Sequence, residues 1–201
     1  MAGAILFMGS DRIVEVFGDP RSVVVIERAG AFALGACISM SCTTAAALSM
    51  EGKSLWLLQS LPIPVKTIIH SKIAVNFTIS IPAVLISSTM MVIGLRMKGI
   101  SMLVAYLLPV AFGLMAAVWG MYINFRFPNY EWDNENEVVK QGASALLGLL
   151  PGFLIGFILA MIVGVTSINA EAAGLIGTII IVGSAAGIYR ILINKYNKLP
   201  I

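Results

Sequence analysis

Charge is absent from five long stretches of the sequence, residues 29–50, 73–95, 99–125, 141–170 and 172–189. A hydrocarbon layer excludes charged side chains most strongly, and a spanning helix needs about 20 predominantly apolar residues. Each stretch is about that long, so five spanning helices are expected, and little sequence is left for a soluble domain. Composition agrees: 59% of the 201 residues are hydrophobic and 11% are charged, against about 25% charged in soluble domains. The expected fold is an all-α polytopic transmembrane helix bundle, with spans near 29–50, 68–95, 101–124, 141–165 and 172–193.

Residues 1–28 form a separate N-terminal segment, read as a partial or surface helix. The segment lacks the basic start and long apolar core of a signal peptide, because its first charges are Asp11 and Arg12. Cys37 and Cys42 fall inside the first apolar run at no metal or redox spacing, which fits small buried side chains.

Connections between spans alternate sides of the membrane. One side collects Lys53, Lys66, Lys72, Arg126, Lys140, Arg190, Lys195 and Lys198, and the other has Arg12, Arg21, Arg28, Arg96 and Lys98. The basic excess places the 51–72 connection, the acidic 126–140 connection and the C-terminus in the cytoplasm. The net charge of +3 therefore reads as an orientation signal, and nucleic acid is not an expected partner. That orientation starts the chain outside with no signal sequence, so it reads as the C-terminal part of something longer.

Gly148, Gly152 and Gly156 form a GxxxGxxxG stripe, and Gly183 with Gly187 form a second pair. Such stripes let helix backbones approach closely in lipid, so packing within the bundle is expected, with a dimer seam as the alternative. Pro82, Pro109 and Pro151 each remove a backbone donor within a span, where kinks or local openings are expected.

The five runs hold no ionisable group, which argues against an ion or proton pathway. Ser80, Ser87, Thr89 and Asn124 are too scattered along the runs to define a site. His70, the single histidine, sits beside Lys66 and Lys72 as an interfacial polar residue with no metal-ligand partners. No HExxH or Gly-x-Ser-x-Gly motif occurs, so no catalytic, cofactor-binding or metal residues are expected. Gly52-Lys53-Ser54 matches the end of a phosphate-binding P-loop, but Ala47 stands where its first glycine is required and a membrane span precedes it instead of a strand. The chain is not expected to hold a nucleotide or to be an enzyme.

Glu51-Gly52-Lys53 instead puts charge at the water boundary, and Ser54 to Leu61 reads as a short helix with Leu55, Trp56, Leu58 and Leu61 on an apolar side. Trp56 suits the headgroup level, and Pro62 and Pro64 end the helix before the next span. The expected product is a short interfacial helix along the cytoplasmic membrane surface.

Two motifs carry a family resemblance. Ser41 to Lys72, "SCTTAAALSMEGKSLWLLQSLPIPVKTIIHSK", resembles the Ser-x-Glu-Gly-Lys-x-Leu-Trp-x-Leu-x-Ser-Leu-Pro signature of ABC-2 type permeases, membrane subunits of bacterial ABC exporters. Phe127 to Leu150, "FPNYEWDNENEVVKQGASALLGLL", is similar to the second recurring motif of that family. The family has more spans before the first motif, so the resemblance is to its C-terminal portion.

The resemblance implies a permease of the bacterial plasma membrane, driven by a separate cytoplasmic ABC ATPase through the 51–64 segment. Under it, Glu51, Gly52, Lys53, Leu55, Trp56, Leu58, Ser60, Leu61 and Pro62 form or support the coupling element, with Glu51 and Lys53 as polar contacts and Trp56 and the leucines as anchors. A second cytoplasmic element comprises Phe127, Pro128, Tyr130, Trp132, Asp133 and Lys140. The run Glu131 to Glu137 lacks calcium-loop spacing and reads as a solvated, partner-facing loop. A complete pathway implies a second permease copy or a missing N-terminal half beside it in the bilayer. The alternative is a non-transporting scaffold or assembly subunit that recruits a soluble partner through the same surface helix, and an inactive fragment is a third reading.

Overall fold

The computed structural model describes residues 21–54, 56, 60, 62–130, 143–166 and 168–195 of the chain. They are almost wholly helical, with no strand among them. Helix α1 (Arg21–Ser39) is followed by the single turn α2 (Thr44–Ala47) and a 3-10 helix, Ser49–Ser54. Then come α3 (Val65–Gly94), α4 (Ile100–Arg126), α5 (Ala143–Val165) and α6 (Ala170–Lys195). Among the described residues five segments are long and apolar enough to cross a membrane, the first being Ser22–Gly52 and the others α3 to α6. Even the shortest single helix of the four, α5 with 23 residues, reaches about 35 Å at about 1.5 Å per residue, against about 30 Å of hydrocarbon.

Helix α1 starts at Arg21, so residues 21–28, read from the sequence as part of a separate N-terminal segment, are the first turns of the first span. The rest of that segment lies outside the described residues. The first span also departs from a single helix, because it breaks between Ser39 and Thr44.

Helix α4 is the axis of the bundle, in contact with α1, α2, α3, α5 and α6. Its buried residues run from Val104 to Phe125, whereas α5 and α6 expose most of their apolar surface. Lipid tails are as apolar as leucine, so helices associate in a bilayer by close packing and interhelical hydrogen bonds more than by the hydrophobic effect. The seam of α5 with α1 and α2 illustrates this. A β-carbon built on Gly148 would lie 2.6 Å from Ala45 Cβ, one on Gly152 2.8 Å from Ser39 Cβ, and one on Gly156 2.8 Å from Ala36 Cβ. The GxxxGxxxG stripe is thus a packing seam inside the bundle, while Gly183 and Gly187 face open space.

The prolines do not end their helices, because α3, α4 and α5 run continuously through Pro82, Pro109 and Pro151. The α3–α4 connection does stop a helix. Arg96 takes φ of 52°, and Met97 N–H and Arg96 N–H close back on Val92 O (3.0 Å) and Ile93 O (3.3 Å), the bonding of a Schellman cap. Gly99, at φ of 61°, then turns the chain into α4.

Candidate functional site

The broken first span leads into the site. Where α1 ends, Met40 N–H and Ser41 N–H bond to Cys37 O and Ile38 O at 3.1 and 3.0 Å, so the last turn tightens before the ladder stops. Freed backbone groups in an apolar layer must find partners inside the protein. Asn76 of α3, buried, donates its amide to Ser41 O at 2.9 Å and to Thr43 Oγ1 at 3.1 Å. From the other flank, Cys42 Sγ donates to Ala116 O at 3.0 Å and Thr44 Oγ1 to Ala117 O at 2.7 Å, both carbonyls of α4.

Asn124, near the end of α4 and fully buried, holds the lower edge of the break. Its Oδ1 accepts from Leu48 N–H (2.8 Å) and Ser49 N–H (3.2 Å), and its Nδ2 donates to Ser49 Oγ (2.7 Å) and Ser144 Oγ (3.3 Å). The amide thereby uses two acceptor and two donor positions, its full capacity. Ser49 Oγ also accepts from Asn129 N–H at 3.1 Å, which ties the segment after α4 to the start of the 3-10 helix.

The 3-10 helix carries Glu51, Gly52 and Lys53 to this same end of the bundle. Glu51 is ion-paired with Lys72 of α3, and both side chains are about three-quarters shielded. Gly52 packs directly on the Phe127–Tyr130 segment: a β-carbon there would come within 2.9 Å of Tyr130 Cα. Burial pushes the Tyr130 phenol above its ordinary range. A few turns away, His70 of α3 hydrogen-bonds the Tyr189 hydroxyl of α6 and stacks on its ring.

The two sequence motifs, far apart in the chain, therefore meet in one platform at the N-terminus of α3 and the C-termini of α4 and α6. Trp56 and Ser60 are helical and exposed, and Pro62 and Pro64 are exposed in the non-helical stretch before α3. Trp56 is 69% exposed. Leu55, Leu58 and Leu61 of the expected interfacial helix lie outside the described residues, as do Trp132, Asp133 and Lys140 of the second element. Phe127 is exposed beneath the Arg126 guanidinium, 5.5 Å from its ring centre, and Pro128 is half-buried. Lys66, Lys72, Arg126, Arg190 and Lys195 also lie on helix segments at this end.

The structure corrects the view of Asn124 as one of several scattered polar residues, because it is the hub of the platform. Asn76 drew no attention in the sequence. The signal available for both was an amide inside a charge-free run, which lipid tolerates only when it is bonded.

A helical bundle around one central span, with a second span broken and held by buried amides, defines a multi-span membrane protein. The chain belongs to the family described as membrane protein of 12 TMs, whose model matches residues 20–192. No curated protein and no solved structure matches it.

Proposed function

We propose that this chain is a transmembrane permease subunit, or the C-terminal part of one, in an ABC exporter whose ATP hydrolysis occurs on a separate cytoplasmic subunit. The observation that carries the reading is the meeting of the two motif segments through Gly52–Tyr130 and Ser49–Asn129, on a platform with exposed Trp56. Movement of that platform has two rigid routes into the spans. Lys72 links it to α3, and Asn124 links it to α4.

The break at residues 40–43 gives the first span a place to bend, since its backbone bonds to side chains that can exchange partners. Under this reading a second copy or a further half completes the pathway, the family description giving twelve spans and the described residues five. Under this reading the platform faces the cytoplasm of a bacterial plasma membrane.

The experiment is crosslinking from Trp56→Cys in native membranes, followed by purification and ATPase assay. Recovery of a crosslinked subunit that hydrolyses ATP supports the exporter reading. Recovery of a partner with no nucleotide hydrolysis supports the scaffold instead. Labelling of Ile63→Cys by an impermeant thiol reagent from outside intact cells reverses the orientation.

A further inference from the structure

We propose that the end of the bundle opposite the platform binds a zwitterionic phospholipid with a primary amine, of the phosphatidylethanolamine class, its head in a polar cleft and one acyl chain in an adjoining apolar groove. The proposal rests on the fold alone and stands apart from ATPase coupling.

A cleft of about 450 Å³ opens between the start of α1, the α3–α4 connection and the start of α6. Glu27, Arg28, Ser101, Asn169 and Glu171 line it together with apolar side chains. Two of these polar groups have protein partners that do not cancel the local charge. Arg28 donates to Thr166 O at 3.2 Å, and Glu171 accepts from the Ser101 hydroxyl. The one ion pair among the described residues is Glu51 with Lys72, so neither Glu27 nor Glu171 is neutralised by Arg28 within 4.0 Å. Asn169 caps α6 by accepting from Glu171 N–H (3.0 Å) and Ala172 N–H (3.3 Å), which fixes Glu171 at the cleft wall.

Separated charges of both signs around a cavity suit a ligand that also carries both. A phosphate pairs with the guanidinium, and an ammonium with N–H donors pairs with the carboxylates. A purely anionic head would meet two carboxylates. A choline head has no N–H to give them.

The groove supplies the second half of the argument. A space of about 540 Å³ between α1, α5 and α6 is walled by Phe32, Leu159, Val163, Ala173, Ile176 and Gly177, among other apolar residues. Ile168 and Asn169 border both spaces, so cleft and groove adjoin. The groove extends along α6 from its cap Asn169 to Ile181. About twelve residues of helix cover about 18 Å, close to the depth of one leaflet, about half of 30 Å. A free zwitterion would leave the groove empty, and a helix from another segment would fill it without meeting the charges of the cleft.

The test uses the full chain purified in detergent, delipidated, and titrated with phosphatidylethanolamine, phosphatidylcholine, phosphatidylglycerol or free phosphoethanolamine. Thermal stability and native mass spectrometry are the readouts. The expected result is one retained phosphatidylethanolamine per chain and a rise in melting temperature that the other three do not reproduce. Arg28→Gln with Glu171→Gln removes the headgroup preference, and Ala172→Phe, at an exposed position on the groove, lowers retention at least tenfold with helix content unchanged. Equal effects of all three lipids overturn the proposal, as does a full effect of phosphoethanolamine alone. Unchanged retention in Ala172→Phe overturns the placement of the acyl chain. The headgroup comparison is made on the unaltered protein, so it decides the matter even where a variant fails to fold.

Discussion

The indole N–H of Trp119 donates to Leu147 O at 2.9 Å, and that carbonyl is the one Pro151 leaves without a helical donor. A helical N–H bonds the carbonyl four residues earlier. Proline at 151 has none to give. The same repair occurs one helix away, where Ser88 of α3 donates to Ala105 O at 2.7 Å, the carbonyl four residues before Pro109. In both cases a neighbouring helix supplies what the proline removed, which explains how α4 and α5 stay continuous and gives each proline a fixed partner helix.

Replacing Trp119 with Phe is expected to destabilise the folded chain by about 1 kcal/mol, the usual scale of a lost interhelical bond. Pro151→Ala restores the helical donor to Leu147 O, so the cost of Trp119→Phe should fall in that background. Thermal unfolding of the four variants in one detergent measures the coupling. Equal costs of Trp119→Phe with and without Pro151 would show that the bond does not serve the proline.

Much of the fold was legible because its strongest constraint is one of exclusion. Charge marks where lipid ends, so each charge-free run overlaps a span, and Pro64 and the basic cluster around Lys66 mark the start of α3. The break in the first span was not legible. The stretch "ISMSCTTAA" contains neither glycine nor proline, and the break is held by Asn76 and Asn124, 35 and 76 residues away from the groups they bind. The platform was half legible: both motifs stood out, but nothing local signals that Gly52 packs on Tyr130. The polar cleft was invisible for a related reason. Arg28 counted in the sequence only toward orientation, and only folding brings it with Glu27 and Glu171 around one cavity.

Asn124→Ala leaves the Leu48 and Ser49 N–H groups buried and unbonded, together with a void. A cost of about 2 to 4 kcal/mol is expected. Asn76→Ala orphans one carbonyl, Ser41 O, and should cost about 1 to 2 kcal/mol. Reversal of that order in chemical unfolding would place the main anchor of the broken span on α3 and not on α4.

The two glycine pairs separate packing from propensity. A β-carbon on Gly156 would sit 2.9 Å from Ala36 Cα and 3.1 Å from Ala36 N, backbone atoms that cannot yield without moving α1. Gly156→Ala is therefore expected to cost about 1 to 3 kcal/mol. Gly187→Ala meets no atom within 4 Å and should be neutral or stabilising by up to about 1 kcal/mol through helix propensity. A loss of stability at Gly187 on dilution of the protein would reveal a second copy packed there.

The junction of the motifs gives the most direct link from structure to action. A β-carbon on Gly52 would meet Tyr130 at Cα, Cβ and Cδ1 within 3.1 Å, and one of those contacts is backbone. Gly52→Ala must push the 3-10 helix off the Phe127–Tyr130 segment, while the Glu51–Lys72 pair and the Asn124 bonds still hold it to α3 and α4. The stability cost is expected to be about 1 to 2 kcal/mol, small beside the loss of Asn124. The effect on function should be larger, because under the exporter reading a partner grips both segments as one surface. Transport coupled to the partner's ATP hydrolysis should drop several-fold more than the amount of folded protein in the membrane. Tyr130→Gly in the same chain relieves two of the three contacts, those with Cβ and Cδ1, and should recover part of the loss. The measurement is stimulation of the partner's ATPase per folded chain for wild type, Gly52→Ala and the double variant, normalised by quantitative blot. Activity that simply tracks protein level across the three would mean that the junction holds the fold together and carries no signal.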